Sequence, residues 1–237
     1  MEGRFLNWVL GYPGSWMRDP ATGIDFSLIV HGEESVTWHA PLAASGTVVA
    51  RHRVTHVVDK GQGRGAVITY DKELTDKASG RRLATVTHTT VARGNGGFSS
   101  LDGLADVSPP RRQPVATSAP DKVVELPTLP QLALLYRLCA DRNPLHSDPA
   151  SARAAGFERP ILHGLCTYGV VSRAILDCWC DFEPNRLKSL SARFTAPVFP
   201  GETIGVEMHA VEGGVDFRAI ARERGKVVLD GGHAAIA

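Results

Sequence analysis

A segment near the start of this chain recurs near its end, and that repeat constrains the fold more than any other feature. V-T-W-H-A-P-L-A-A-S-G-T-V-V-A (Val36–Ala50) and L-S-A-R-F-T-A-P-V-F-P-G-E-T-I-G-V (Leu190–Val206) share one plan. Each reads as a strand, a proline (Pro41, Pro197), a few residues, a glycine (Gly46, Gly201) and a second strand. The segments downstream of each copy agree. Thr47–Val58, Ala66–Leu74 and Leu83–Ala92 read as strands separated by turns at Gly61–Gly65 and Lys77–Gly80. After the second copy, Ile204, Val206, Met208 and Ala210 alternate with polar or small residues, Gly213-Gly214 turns, and Val215, Phe217, Ala219 and Ala221 line the next strand. Arg224-Gly225-Lys226 turns again before V-V-L-D-G-G-H-A-A-I-A.

Each half should also hold a buried helix. Leu162–Trp179 is apolar almost all round, interrupted mainly by Arg173 and Asp177, and a helix of that kind must be wrapped on most sides. An antiparallel sheet curled around it would do so. Upstream, Thr128–Ala140 has helical spacing at Leu132, Leu135, Tyr136 and Cys139, with Pro130 near its first turn. A short helix should come next, with Asp148 as cap, Pro149 first and Gly156 as terminator. Ser99–Lys122, rich in Pro, Ser, Ala and Asp, reads as a linker. The expected organisation is residues 1–98, a linker over 99–122, and residues 123–237. The halves are unequal, since nothing in the first corresponds to Val123–Arg159. Either the first half is a shortened domain whose own helix lies almost at the chain start, or the coding sequence starts late.

Between those two second-half helices lies Y-R-L-C-A-D-R-N-P-L-H-S-D (Tyr136–Asp148). Asp141 and His146 stand five apart, a poor helical spacing, and Pro144 pushes Asn143 out of the helical region. The segment is expected to be a loop that turns a carboxylate and an imidazole toward one point, which is acid–base machinery. A surface carboxylate and a packed histidine are the structural alternatives. Asn143 either hydrogen-bonds that loop or favours the turn before Pro144. His163 either has a functional part or, the favoured reading, packs at the helix entry; Tyr136 and Arg137 fit support from the preceding helix, and His31 and Glu33 the start of a strand.

The formal net charge of +1 gives no electrostatic case for nucleic acid or membrane. No apolar stretch approaches the roughly 20 residues of a membrane span, and no leader peptide is evident. Cys178 and Cys180 lack a second ligand cluster, so no metal is expected, and the cytoplasm is the default compartment.

The Tyr136–Asp148 block, together with G-F-E-R-P-I-L-H-G-L-C-T-Y-G (Gly156–Gly169) after it, resembles the MaoC-like, type 2 enoyl-CoA hydratases. V-H-G-E-E (Val30–Glu34) and R-G-N-G-G-F (Arg93–Phe98) extend the resemblance to almost the whole chain. It implies an α+β double hot-dog fold with one active site, and reversible hydration of trans-2-enoyl-CoA to the (3R)-3-hydroxyacyl-CoA. No cofactor is implied, since coenzyme A enters as part of the substrate. The family's catalytic pair falls on Asp141 and His146, its motif asparagine on Asn143, and the glycine whose amide faces the thioester oxygen on Gly164. Ala140 stands where the family usually has glycine. The first half would accommodate the acyl chain. Arg93, Gly96 and Gly97 could form a nest for a phosphate of CoA, or simply the exit from a strand. Exposed sheet edges suggest a homodimer. A hot-dog thioesterase and a truncated non-catalytic paralogue are the competing readings.

Overall fold

The computed structural model describes residues 16–99, 107, 109–110, 112–139 and 141–237. Nine strands build one antiparallel sheet: β1 (Ile29–Trp38), β2 (Val48–Asp59), β3 (Ala66–Asp76), β4 (Arg82–Ala92), β5 (Lys122–Pro127), β6 (Leu187–Phe194), β7 (Thr203–Val211), β8 (Gly214–Ala221) and β9 (Lys226–Ile236). Their order across the sheet is β2-β3-β4-β1-β6-β9-β8-β7-β5. Among the described residues three α-helices accompany it: α1 (Leu132–Cys139), α2 (Pro149–Ala154) and α3 (Gly164–Cys180).

The repeat explains that order. β1 and β6, its leading strands, pair antiparallel at the centre, with Ser35 facing Ser191 and Val36 facing Leu190. Pro197 lies as far beyond Pro41 in the chain as Ser191 lies beyond Ser35, so Ser35 meets its own repeat equivalent. An antiparallel pair that matches equivalent positions generates a local twofold axis. On one side of it run β1, β4, β3 and β2; on the other run β6, β9, β8 and β7, with β5 added at the edge.

The second half curls around α3, which packs against β5, β6, β7 and β9. Val171, Ala174 and Ile175 on α3 are fully buried among Leu190, Ile204, Val206, Phe217 and Leu229. Burying each large apolar side chain is worth about 1.5–3 kcal/mol. The Tyr168 hydroxyl on the same helix donates to the Leu190 carbonyl, so the core holds that polar group satisfied. The helix expected for the first half falls outside the described residues.

α1 begins at Leu132, later than the expected start at Thr128, with Pro130 just ahead of its first turn. Thr128 is drawn away from any capping role, because its hydroxyl donates to the Glu202 carbonyl and accepts from the Gly201 amide. The expected linker is tied to the second half where it is described: Arg112 pairs with Asp216, and the Val115 amide donates to Asp230.

One irregularity of β1 decides which side chains reach the space between the halves. The register of β1 on β4 shifts between His31 and Glu33, leaving Gly32 as the extra residue of a β-bulge. A Cβ at Gly32 would lie 3.2 Å from the Thr89 carbonyl oxygen and 3.3 Å from a Val91 methyl, so the close approach favours glycine. Regular alternation would put His31 and Glu33 on one face. The bulge puts His31 and Glu34 there instead, and their side chains touch.

Candidate active site

The loop after α1 is built on local hydrogen bonds. Asp141 Oδ1 accepts from the Asn143 amide at 2.9 Å. Asn143 Oδ1 accepts from the Leu145 amide at 3.1 Å and caps a short 3-10 turn, Pro144–His146. Asp148 accepts from the Ala150 and Ser151 amides and starts α2, as expected of a helix cap. Asn143 therefore both shapes the turn and orders the loop. Ala140 lies outside the described residues.

This folding brings Asp141 and His146 together, with Asp141 Oδ2 4.0 Å from His146 Nε2. The two side chains differ in setting: Asp141 is 55% exposed and His146 only 9%. His146 Nδ1 lies 2.8 Å from the Ile161 carbonyl, which can only accept, so Nδ1 carries the proton and Nε2 presents a lone pair toward Asp141. Burial holds the His146 pKa below its ordinary value, so this neutral form prevails near pH 7.

His163, expected as packing at the helix entry, is part of this arrangement. Its ring stacks on His146 at 3.7 Å between centroids, and Tyr136 lies against its other side at 4.5 Å. His163 Nε2 donates to the Asp141 carbonyl at 3.0 Å. Burial, and after it the neighbouring His146, lowers its pKa to about 4, so it is a neutral spacer that fixes the loop. The sequence offered no pointer to this beyond its place just before α3.

Gly164 opens α3 and lines the same cavity, where the first amides of a helix lack partners within it. A Cβ on Gly164 would lie 3.0 Å from the Phe194 ring, so this close contact requires glycine. The cavity measures about 420 Å³ and runs between the halves. Asp141, Asn143, His146, His163 and Gly164 line one wall. Met17, Phe26, Ile29, Val30, His31, His88 and Thr90 from the first half line the other.

That first-half wall carries a second imidazole–carboxylate cluster. His31 and His88 stack at 3.8 Å, and both rings contact Glu34 Oε2, at 3.1 and 2.7 Å. Burial alone would raise the Glu34 pKa, but the two imidazoles outweigh it and bring it to about 2. Burial lowers His88 to about 4 and the neighbouring buried Lys72 to about 8. At neutral pH Glu34 is thus a carboxylate held by imidazole N–H donors. His31 was expected to be structural; it also faces the cavity.

The glycine-rich segment after β4 departs from the expected phosphate nest. The Gly97 amide donates to Asp59 Oδ1 at 2.7 Å, and the Ser99 amide to Asp59 Oδ2 at 2.8 Å. The anion cradled there is the protein's own carboxylate. A Cβ at Gly96 would lie 2.7 and 2.8 Å from the carbonyl oxygens of Gly61 and Gly65, a contact that serves loop packing. Arg93 does line the cavity, with its guanidinium donating to the Leu28 and Ala155 carbonyls and so bridging the halves.

Two groups have ligand atoms close enough to share a metal ion, His31–Glu34–His88 and Asp141–His146–His163, each set lying within 4.8 Å. In the first, the oxygen and nitrogens already bond one another and Lys72 adds a nearby positive charge, which disfavours a cation. In the second, His146 and His163 each commit one nitrogen to a carbonyl.

Comparison with known proteins agrees with this architecture. Residues 111–231 match the MaoC like domain, and residues 14–94 match the MFE-2 hydratase 2 N-terminal domain. The chain is 46% identical over 191 residues to enoyl-CoA hydratase ChsH3 of Mycobacterium tuberculosis, covering 80% of this chain and 63% of that relative. It is 39% identical to the peroxisomal enoyl-CoA hydratase 2 of Arabidopsis thaliana, covering 90% of this chain and 70% of the relative. A crystal structure of a MaoC-like dehydratase from Phytophthora capsici superposes with a TM-score of 0.81 at 37% identity, over 90% of this chain and 73% of that one. The chain thus spans a little under two thirds of the mycobacterial relative. The twinned sheet, the helix wrapped by its second half and these matches make this chain a member of the MaoC-like, hydratase 2 family with a hot-dog fold.

Proposed function

We propose that the protein is an R-specific 2-enoyl-CoA hydratase, a hydro-lyase that adds water to trans-2-enoyl-CoA and gives (3R)-3-hydroxyacyl-CoA. The names of the relatives and the match to a hydratase 2 domain support the reaction class. The observation that carries the assignment to this site is the His146 Nε2 lone pair standing 4.0 Å from the Asp141 carboxylate at the cavity wall. That separation exceeds a direct hydrogen bond and leaves room for one water to touch both groups.

In this reading Asp141 accepts one hydrogen bond from the water and His146 Nε2 takes its other proton as the oxygen bonds to C3. The electron pair of the C2–C3 double bond moves toward the thioester, whose oxygen gains charge and is met by the Gly164 amide. The imidazolium, steadied by the carboxylate of Asp141, then returns its proton to C2. Atoms balance, since one water supplies both the hydroxyl and the hydrogen. Coenzyme A is part of the substrate, and the chemistry calls for no further cofactor.

The direct test monitors loss of the conjugated thioester absorbance with wild type, Asp141→Ala and His146→Ala, and identifies the product by chiral chromatography. Hydration by the wild type to the (3R) product, lowered by about a thousandfold in both variants, is expected. Unimpaired activity in either variant would remove that residue from the mechanism.

A homodimer is part of the same proposal. Leu129, Leu134 and Leu138, around α1, expose apolar surface that assembly would cover, and light scattering reads the mass. Among the described residues no helix is long and apolar enough to cross a membrane. The free thiols of Cys166, Cys178 and Cys180 fit the cytoplasm, the compartment we propose, and cell fractionation tests it.

A further inference from the structure

The acyl cavity has an unexpected wall. Four apolar side chains, Met17, Phe26, Ile29 and Val30, are what a hydrocarbon tail needs, yet His31 and Thr90 stand among them. The two face each other across β1 and β4, because the register pairs His31 with Thr90 directly. Thr90 is only 2% exposed, so its hydroxyl is in a protein interior, with the cavity as its neighbour.

The protonation of His31 is set from behind. Its Nε2 contacts the Glu33 carbonyl at 3.2 Å and Glu34 Oε2 at 3.1 Å, both acceptors, so Nε2 carries the proton. Nδ1 is then a bare lone pair, and among the described residues it hydrogen-bonds nothing. Glu34 is held by both imidazoles, and His88 stacks on His31, so the ring is fixed in orientation and tautomer. A part-buried acceptor beside a buried hydroxyl suits a cavity meant for hydrocarbon alone poorly, because a polar group facing a hydrocarbon tail is left without a partner.

We propose that His31 and Thr90 form a second, polar subsite in this cavity that binds a hydroxyl group carried on the acyl chain. The hydroxyl donates to His31 Nδ1 and accepts from the Thr90 hydroxyl. The chemistry selects an alcohol over a ketone, since a carbonyl cannot donate to a bare nitrogen. The subsite lies away from the reacting carbons: His31 packs on the Phe194 ring at 4.4 Å, and Phe194 packs on Gly164. One aromatic ring therefore separates the bound hydroxyl from the thioester end. The substrate class is a 2-enoyl thioester whose tail bears an alcohol beyond C3. This proposal rests on the hydratase reading above.

The test compares trans-2-octenoyl-CoA with analogues bearing a hydroxyl, or a keto group, at each carbon from C5 to C8. For wild type, kcat/KM with the best hydroxylated analogue should exceed that of the plain substrate by about tenfold, the upper range for one added hydrogen bond and the middle of the range for two. The matching keto analogue, which can accept from Thr90 but cannot donate to His31, should show a clearly smaller gain. In His31→Phe, which keeps a ring against Phe194, and in the isosteric Thr90→Val, the ratio of hydroxylated to plain substrate should fall toward one. That ratio is independent of how much of a variant folds. A wild-type ratio at or below one for every position overturns the subsite and leaves the hydratase reading intact. So does an equal gain for ketones, or a ratio that survives both substitutions. Failure of wild type to hydrate any of the thioesters overturns the hydratase reading itself, and the subsite with it.

Discussion

The cavity is bounded by two clusters of the same composition, a carboxylate with two stacked imidazoles, and their settings are opposite. In the second half, His146 and His163 stack at 3.7 Å beside Asp141; in the first, His31 and His88 stack at 3.8 Å beside Glu34. The difference lies in the carboxylate. Asp141 is 55% exposed and stands 4.0 Å from its imidazole, so a water can enter between them. Glu34 is 1% exposed and is gripped at 2.7 Å, so nothing can. Distance and access, more than residue type, decide whether such a trio moves protons or fixes a side chain.

Substitutions should separate the two roles. The largest effect is expected from Asp141→Asn and His146→Ala, each lowering kcat for hydration by about a thousandfold, within the usual range for removing an acid–base group. Thermal unfolding of Asp141→Asn should stay near wild type, because the carboxylate is largely in water. Glu34→Ala should do the reverse. Removing the anion that two buried imidazoles and Lys72 surround should cost about 3 kcal/mol of stability, read by denaturant melts. Matching stability losses from Asp141→Asn and Glu34→Ala would erase the distinction.

Acid should weaken both clusters. His88 and His163 have pKa values near 4, against 6.5 for the free side chain, so below pH 6.5 the unfolded chain binds protons that the folded one refuses. Stability should be complete above about pH 6.5 and fall steadily down to about pH 4. Below 4.5, Glu34, held near 2, adds a loss of the same sign. A melting temperature that stays flat between pH 6.5 and 4.5 would contradict the buried, neutral state of these rings.

The smallest effect concerns Gly164. In Gly164→Ala the methyl meets Phe194 at 3.0 Å, so either the ring or the helix start must shift. A fall in kcat of about tenfold is expected, about half of the free energy assigned to losing a whole oxyanion donor. Shortening the ring in Gly164→Ala/Phe194→Leu should recover part of it. If the double variant is no better than the single one, the contact with Phe194 is not what positions the amide.

How much of this the sequence revealed depended on sequence distance. The strands of the repeat were legible because alternation is local, and the Asp141–Asn143–His146 loop because its hydrogen bonds join neighbours. His163 does sit at the helix entry, but its stack on His146 was hidden, since only the fold brings the two rings together. The cluster around Glu34 was hidden by the bulge at Gly32: period-two reading pairs His31 with Glu33, and one extra residue turns Glu34 inward instead. The partner of the Gly97 amide was hidden for a similar reason. The carboxylate that it meets, Asp59, lies 38 residues upstream on β2.

The central pairing of β1 with β6 has a consequence for how the protein holds its shape. Five consecutive residue pairs, from Glu33–Arg193 to Thr37–Ser189, join the halves in the same ladder that builds each half. The two domains are thus sewn along a shared seam and not merely tethered. A hinge motion that opened the cavity by parting them would have to tear main-chain hydrogen bonds at the middle of the sheet. Access to the cavity is therefore expected to leave this seam intact.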